Sequence, residues 1–193
     1  MKNAIALWGL LFLSLSSCSD EEPLLAEVQK VVEVNFDLSN NRTNSQGDAS
    51  LSATTDFVKE DFEEYLNQIR DFEVNAFMIQ FQSNNNLPTQ QGASVLFEEL
   101  GITLNSLQSG NQSVSLLNFS GFELQNGVTS MTLFHKDSTG TDQITHAMSF
   151  VRSRLLREEA FNWDVDVELE GLEPNGYVEI KLLLDLTAEV ILP

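Results

Sequence analysis

One cysteine, two histidines and a large surplus of carboxylates bound the chemistry open to this chain. Cys18 is the only thiol, so no internal disulfide can form. Two histidines and one cysteine cannot build a zinc cluster of the usual composition. His135-Lys136-Asp137 has the residue types of acid–base catalysis, but no nucleophile motif accompanies it, and three neighbouring residues at a strand end are not expected to converge. Glu63-Glu64 could be read as a carboxylate pair. On a helix, however, adjacent positions point about 100° apart, so a solvated face is the expectation. Asp137 to Asp142 (DSTGTD) lacks the acid density and closing Glu of a calcium loop and reads as a turn. The sharpest local anomaly is Arg152, Arg154 and Arg157, three basic residues within six positions of an acidic chain. They are candidates for a docking patch, set against ordinary pairing with Glu158, Glu159 and nearby acids. Replacing all three by Ser is expected to leave the fold intact.

The element that positions Cys18 is the beginning of the chain. Lys2 is a short basic start, Ala4 to Leu15 is an apolar run, and Ser16 and Ser17 lead into the cysteine. These are the three regions of a secretory signal peptide. The run has about a dozen apolar residues where a membrane span needs roughly 20, so it is expected to be cleaved and not retained. Leu15-Ser16-Ser17-Cys18 resembles the lipobox of bacterial lipoproteins. That resemblance implies that Cys18 becomes the acylated first residue of the mature chain, anchored in the lipid bilayer by two or three acyl chains. Ser19, Asp20, Glu21 and Glu22 then resemble the acidic export tag of surface-exposed lipoproteins of the Bacteroidota. The implied location is the outer membrane, facing the cell surface, with the periplasmic face as the alternative. The expected division is 1–17 signal peptide, 18–27 acylated tether and 28–193 a single domain.

Composition narrows the partners. The chain has 10 basic and 29 acidic residues. Residues 1–17 carry one charge, Lys2, so their removal leaves a formal net charge of −20 on 176 residues. Such a surface argues against nucleic acid, whose phosphates demand basic residues. It also disfavours lying flat on anionic lipid. With 42% apolar residues and 13 Phe, the mature length suits one domain with a full hydrophobic core.

The remaining elements follow from periodicity. Val28, Val32, Val34, Phe36 and Leu38 alternate with polar residues, which predicts a half-buried strand; Leu51, Ala53, Thr55 and Phe57 predict a second. Asp56 to Arg70 changes period, with Phe62, Tyr65, Leu66 and Ile69 on one helical face. Asp71 to Ser83 is apolar on both sides, as in a strand buried on both faces. Between Ala93 and Leu124, short strands are expected, broken at Gly101, Gly110 and Gly121. Another strand ends at His135. A second helix is predicted over Asp142 to Glu159. Phe161 to Glu170 and Tyr177 to Leu192 form a final hairpin around GLEPNG, and the second arm is long enough to need a bend, a bulge or passage between two sheets. About eight strands and two short amphipathic helices predict a mainly β fold, an antiparallel β-sandwich, with the immunoglobulin-like type among its forms.

Neither a nucleophile elbow nor a phosphate-cradling loop is present in the sequence. The reading is therefore a non-enzyme with no cofactor: an interaction or accessory subunit of an outer-membrane complex, docking on a membrane-protein partner. The alternative is a module that binds glycans or another extracellular ligand through the loops Ser39–Asp48 and Asn84–Gly92. A hydrolase using two carboxylates is the weaker third reading.

Overall fold

A computed structural model describes residues 23–39, 48–84, 94–107, 112–138, 140–172 and 176–192. Residues 1–17 read as a signal peptide, Cys18, Ser19 to Glu22 read as an export tag, and residues 40–47 and 85–93 of the two candidate loops lie outside the described residues. The elements in order are β1 (Leu25–Ser39), β2 (Asp48–Thr55), α1 (Phe57–Asp61), a 3-10 turn (Glu63–Tyr65), β3 (Ile69–Asn84), β4 (Ser94–Ser106), β5 (Ser113–Gln125), β6 (Gly127–His135), α2 (Asp142–Leu155), β7 (Phe161–Glu170) and β8 (Tyr177–Ile191).

Two four-stranded sheets form, in the orders β1-β8-β3-β6 and β2-β7-β4-β5. All pairings are antiparallel. First pairs with last, second with seventh, third with sixth and fourth with fifth, so the chain is a long hairpin rolled into two facing sheets. This is the double-sheet jelly-roll order. It confirms the antiparallel sandwich and replaces the immunoglobulin-like arrangement, whose consecutive strands pair differently. Because successive strands alternate in direction, the β2–β3, β4–β5 and β6–β7 connections gather at one end, together with the start of β1 and the end of β8. The β1–β2, β3–β4, β5–β6 and β7–β8 connections gather at the other.

The inward row of β8 (Val178, Ile180, Leu182, Leu184, Leu186, Ala188, Val190) is fully buried, as its alternation predicts. Its fifteen residues pair with β1 in one unbroken register. The irregularities fall in the neighbouring β3, between Ile69 and Asp71 and between Val74 and Ala76. The second bulge corrects the reading of β3 as apolar on both faces. Phe72 and Val74 point inward before it, and Phe77, Ile79 and Phe81 after it. One extra residue, Asn75, shifts the phase of alternation, so both apolar sets reach the same core. The same device operates in β4. A register shift between Phe97 and Glu99 lets Val95 and Phe97, then Leu100, Ile102 and Leu104, all face inward. Gly101 and Gly121 accordingly lie inside continuous strands and do not break them.

The core between the sheets centres on Trp163. Its ring lies 6.1 Å from Phe77 in a stacked arrangement and 5.5 Å from Phe161, and its indole N–H donates to Thr55 Oγ1 at 3.0 Å. Burying the indole with its donor satisfied avoids the cost of an orphaned polar group.

The first predicted helix is much shorter than expected. Five residues, Phe57–Asp61, are helical; Leu66 is already extended and Asn67 has φ +69°. Ile69 belongs to β3, where it pairs with Val190, because the end of β8 requires a partner there. Phe62 remains the anchor of this segment, fully buried edge-on against Phe72 at 5.3 Å. Lys30, in the inward row of β1, places its ammonium 5.8 Å from the Phe62 ring centroid. At the other boundary β1 begins at Leu25, three residues before the expected domain start at Val28.

Candidate functional site

The three arginines singled out by sequence do not form one surface. Helix α2 starts at the Thr141 cap, whose side chain accepts from the Ile144 N–H, and ends at Leu155, short of the expected Glu159. Its end has a Schellman geometry: Glu159 N–H donates to the Arg154 carbonyl and Glu158 N–H to that of Leu155, both at 3.0 Å, with Glu158 at φ +54°. Arg157 therefore sits in an exposed turn beyond the helix.

Arg154 is a correction to the docking patch. It is 6% exposed and faces the body of the molecule. Its guanidinium pairs with the Glu159 carboxylate, donates to Gln112 Oε1 at 2.5 Å and lies 4.8 Å from the Phe150 ring centroid. The amphipathic period of α2 turns this position inward, and the helix end supplies the carboxylate that makes burial tolerable. A triple replacement that includes Arg154 would consequently disturb the fold.

Arg152 is exposed, and it lines a cleft of about 400 Å³ between α2 and the outer face of the first sheet. Its Nη2 donates to both oxygens of Asp71, at 2.7 and 2.6 Å, and its Nε to the Phe72 carbonyl at 2.6 Å. The Arg152 hydrogen bond, assisted by the Phe72 N–H, holds the Asp71 carboxyl below its ordinary pKa, against the opposing effect of partial burial. Beside this pair, Lys136 Nζ donates to Glu73 Oε2 at 2.8 Å, an interaction that raises the Lys136 pKa. Phe134 and Met148 supply apolar lining, and Glu27 and Glu189 complete an acidic rim. The cleft is thus amphipathic, with each cation already matched to an anion. Such a surface suits docking of a polar partner by exchange of ion pairs; it contains no activated nucleophile.

Sequence reading missed Asp71, Glu73 and Lys136 as members of this site. Asp71 and Glu73 do alternate outward at the start of β3, which is the one local signal. The arginine partner of Asp71 lies 81 positions away and the lysine partner of Glu73 lies 63 away, separations that no local pattern carries.

His135 and Asp137 come closer than expected, with Nδ1 3.7 Å from a carboxylate oxygen, because the turn after β6 folds back. Both side chains are largely exposed, and the Ser138 hydroxyl donates to the His135 carbonyl and not to the ring. Lys136 turns away to Glu73. Among the described residues, no group of three or more His, Cys, Asp or Glu could hold a metal ion. No helix among them is long and apolar enough to cross a membrane.

The two loops read as ligand-binding candidates leave from the same end of the sandwich. Their roots, Ser39 and Asn84, both pair with Tyr177 across β8. The loops therefore arise two strand spacings apart, roughly 10 Å. Tyr177 is partly exposed between them, its hydroxyl accepting from Gln82 Nε2 at 3.1 Å. On the outer face of the second sheet, Glu168 stands cross-strand from Asp48 and Glu99. Its pKa is raised, first by the charge of Glu98 and then by desolvation and by Asp48.

No protein-family model matches the chain, and no curated protein does. Among solved structures it is similar to one of turnip yellow mosaic virus, at 8% identity over 89% of this chain and 84% of that one, with a TM-score of 0.38. It is also similar to the decameric BFDV capsid protein, at 10% identity over 86% and 99% of the two chains, with a TM-score of 0.37. A third likeness is to the mud crab tombus-like virus structure, at 10% identity over 96% and 100%, with a TM-score of 0.33. Likeness at these scores says nothing of what this chain binds or assembles into.

Proposed function

We propose that the protein is a surface lipoprotein of the outer membrane, anchored through acylated Cys18, whose jelly-roll domain is a non-catalytic interaction or accessory subunit of a membrane complex. The observation that carries this reading is Leu15-Ser16-Ser17-Cys18 followed by Ser19-Asp20-Glu21-Glu22, placed just ahead of the folded domain. The domain begins at Leu25, so six residues separate Cys18 from it. At 3.3–3.6 Å per residue they reach about 20 Å, which keeps the domain near the bilayer. The cleft lined by Arg152 and Asp71 is the surface that best suits a polar protein partner, with Arg154 supporting the helix from inside.

The test is fractionation and a gentle-detergent pull-down of the tagged full-length protein from its native membranes. Wild type is expected in the membrane fraction with a stoichiometric membrane protein, and Cys18→Ser in the soluble fraction. Wild type in the soluble fraction removes the anchoring reading. A protein recovered alone removes the accessory-subunit reading and favours the second one, ligand binding at the loop end. That alternative is supported by Tyr177 between the loop roots, since an aromatic face there could stack on a sugar.

A further inference from the structure

Large exposed hydrophobic side chains are not scattered over this molecule. Among the described residues there are eight: Leu24, Leu25, Val31, Leu107, Val128, Leu156, Ile191 and Leu192. Leu25 opens β1 with Leu24 just before it, while Ile191 closes β8 with Leu192 just after it. Leu107 follows the end of β4, and Leu156 caps α2 just before β7. The alternation of strand direction puts those six at one end of the sandwich. Val31 lies midway along β1, and Val128 begins β6 at the opposite end.

Four of the six are contiguous. Leu25 pairs with Ile191, and the Leu192 N–H donates to the Leu24 carbonyl at 2.8 Å. By strand alternation, Leu25 and Ile191 point to the outer face, and Leu24 and Leu192 to the other, beyond the last core layer. The tip of this two-strand ribbon is therefore apolar on both sides, with Leu24 72% exposed. Single exposed leucines are ordinary, whereas clustered ones mark a contact surface.

We infer that this end of the sandwich rests on the lipid bilayer, so that the domain is seated on the membrane and does not swing from its tether. The inference depends on the reading of Cys18 as the acylated residue. What singles out the bilayer as occupant is where the chain goes: it leaves this same end at Leu24, six residues from Cys18, and a tether of that reach holds the apolar tip against the membrane interface. Glu60, Glu63 and Glu64 stand exposed at the same end, on the segment before β3. The contact therefore suits uncharged headgroups, and anionic lipid weakens it.

Cys18 is the only cysteine and is consumed by acylation, so one introduced cysteine can be labelled uniquely. Full-length lipoprotein carrying Arg157→Cys, at the apolar end, or Val128→Cys, at the far end, is labelled with a fluorophore. Each is then reconstituted in phosphatidylcholine vesicles containing a lipid-borne quencher. Quenching at position 157 is expected to exceed that at 128 severalfold, and to fall as phosphatidylglycerol is added. Replacing Leu24, Leu25, Ile191 and Leu192 by Ser in the Arg157→Cys chain should lower quenching at position 157 severalfold, toward what the tether alone gives, while the acyl chains keep the protein on the vesicles; unchanged quenching overturns the contact. Equal quenching at the two positions in the otherwise native chain overturns the seated domain. Mass measurement of the N-terminal peptide separates the two readings. An acylated Cys18 with equal quenching removes the contact alone, while an unmodified Cys18 removes the anchor and the contact together.

Discussion

Arg152 and Arg154 are two positions apart on one helix, yet their surroundings give them opposite roles. Arg154 is buried with its carboxylate, and removing one member of such a pair strands a charge away from water, typically at a cost of 3–5 kcal/mol. Arg152 and Asp71 form an ion pair whose side chains are about half exposed, and pairs of that kind contribute roughly 0.2–1 kcal/mol. Arg154→Ala is therefore expected to lower the urea midpoint sharply, by the equivalent of about 3 kcal/mol or more, and Arg152→Ala by about 1 kcal/mol or less. Equal effects would contradict the assigned burial. Glu168 makes the opposite case, a carboxylate that the fold crowds with like charge. Its raised pKa means that the native state binds the proton more tightly than the unfolded chain does. Stability from this group is present at acid pH and is lost as pH rises through the folded pKa. Glu168→Gln should accordingly raise the thermal midpoint at pH 7 and leave it unchanged at about pH 3, below the ordinary carboxylate pKa.

At the scale of elements, irregularity does as much as regularity. The bulge at Asn75 lets β3 present Phe72 and Val74, then Phe77 and Ile79, to one core, and it leaves the Asn75 amide to donate to Asp185 at 3.0 Å and Thr187 at 2.8 Å. The end of α2 is a second irregular point. Glu158 occupies the left-handed position that glycine usually takes, at an expense of roughly 1 kcal/mol for a residue with a Cβ. Glu158→Gly is expected to stabilise the protein by about 0.5–1 kcal/mol in chemical denaturation, with the Arg154–Glu159 pair retained. A loss of stability would mean that the Glu158 side chain makes a contact worth more than the strain.

For the whole molecule, the jelly-roll order separates two ends with different chemistry. One gathers the first and last described residues, six of the exposed hydrophobic side chains and the acidic segment before β3; the other carries the loop roots Ser39 and Asn84 on either side of Tyr177. A lipid anchor at Cys18 would hold the first end near the bilayer and turn the second outward. The cleft beside α2 opens on the flank of the first end, and under the proposed anchoring a membrane-protein partner would meet it there. This geometry makes the pull-down and the quenching experiment complementary: one reads the flank, the other the base.

What the sequence by itself determined is whatever depends on neighbours along the chain. The alternation in β1, β7 and β8 and the helical face of α2 are written in local order, and local order sufficed to predict a mainly antiparallel β-sandwich. The reading of Cys18 and its flanking residues likewise rests on local order alone, and those residues lie outside the described ones. The tertiary structure decided the rest. It paired first strand with last, and it drew Ile69 out of a predicted helix to serve as a partner for Val190. It turned Arg154 inward and brought Arg152 to Asp71. Each of these outcomes rests on a contact between distant positions, where the energy comes from burying one segment against another. The apolar end emerged only then, since leucines near positions 24, 107, 156 and 191 become neighbours only after the strands have alternated up and down.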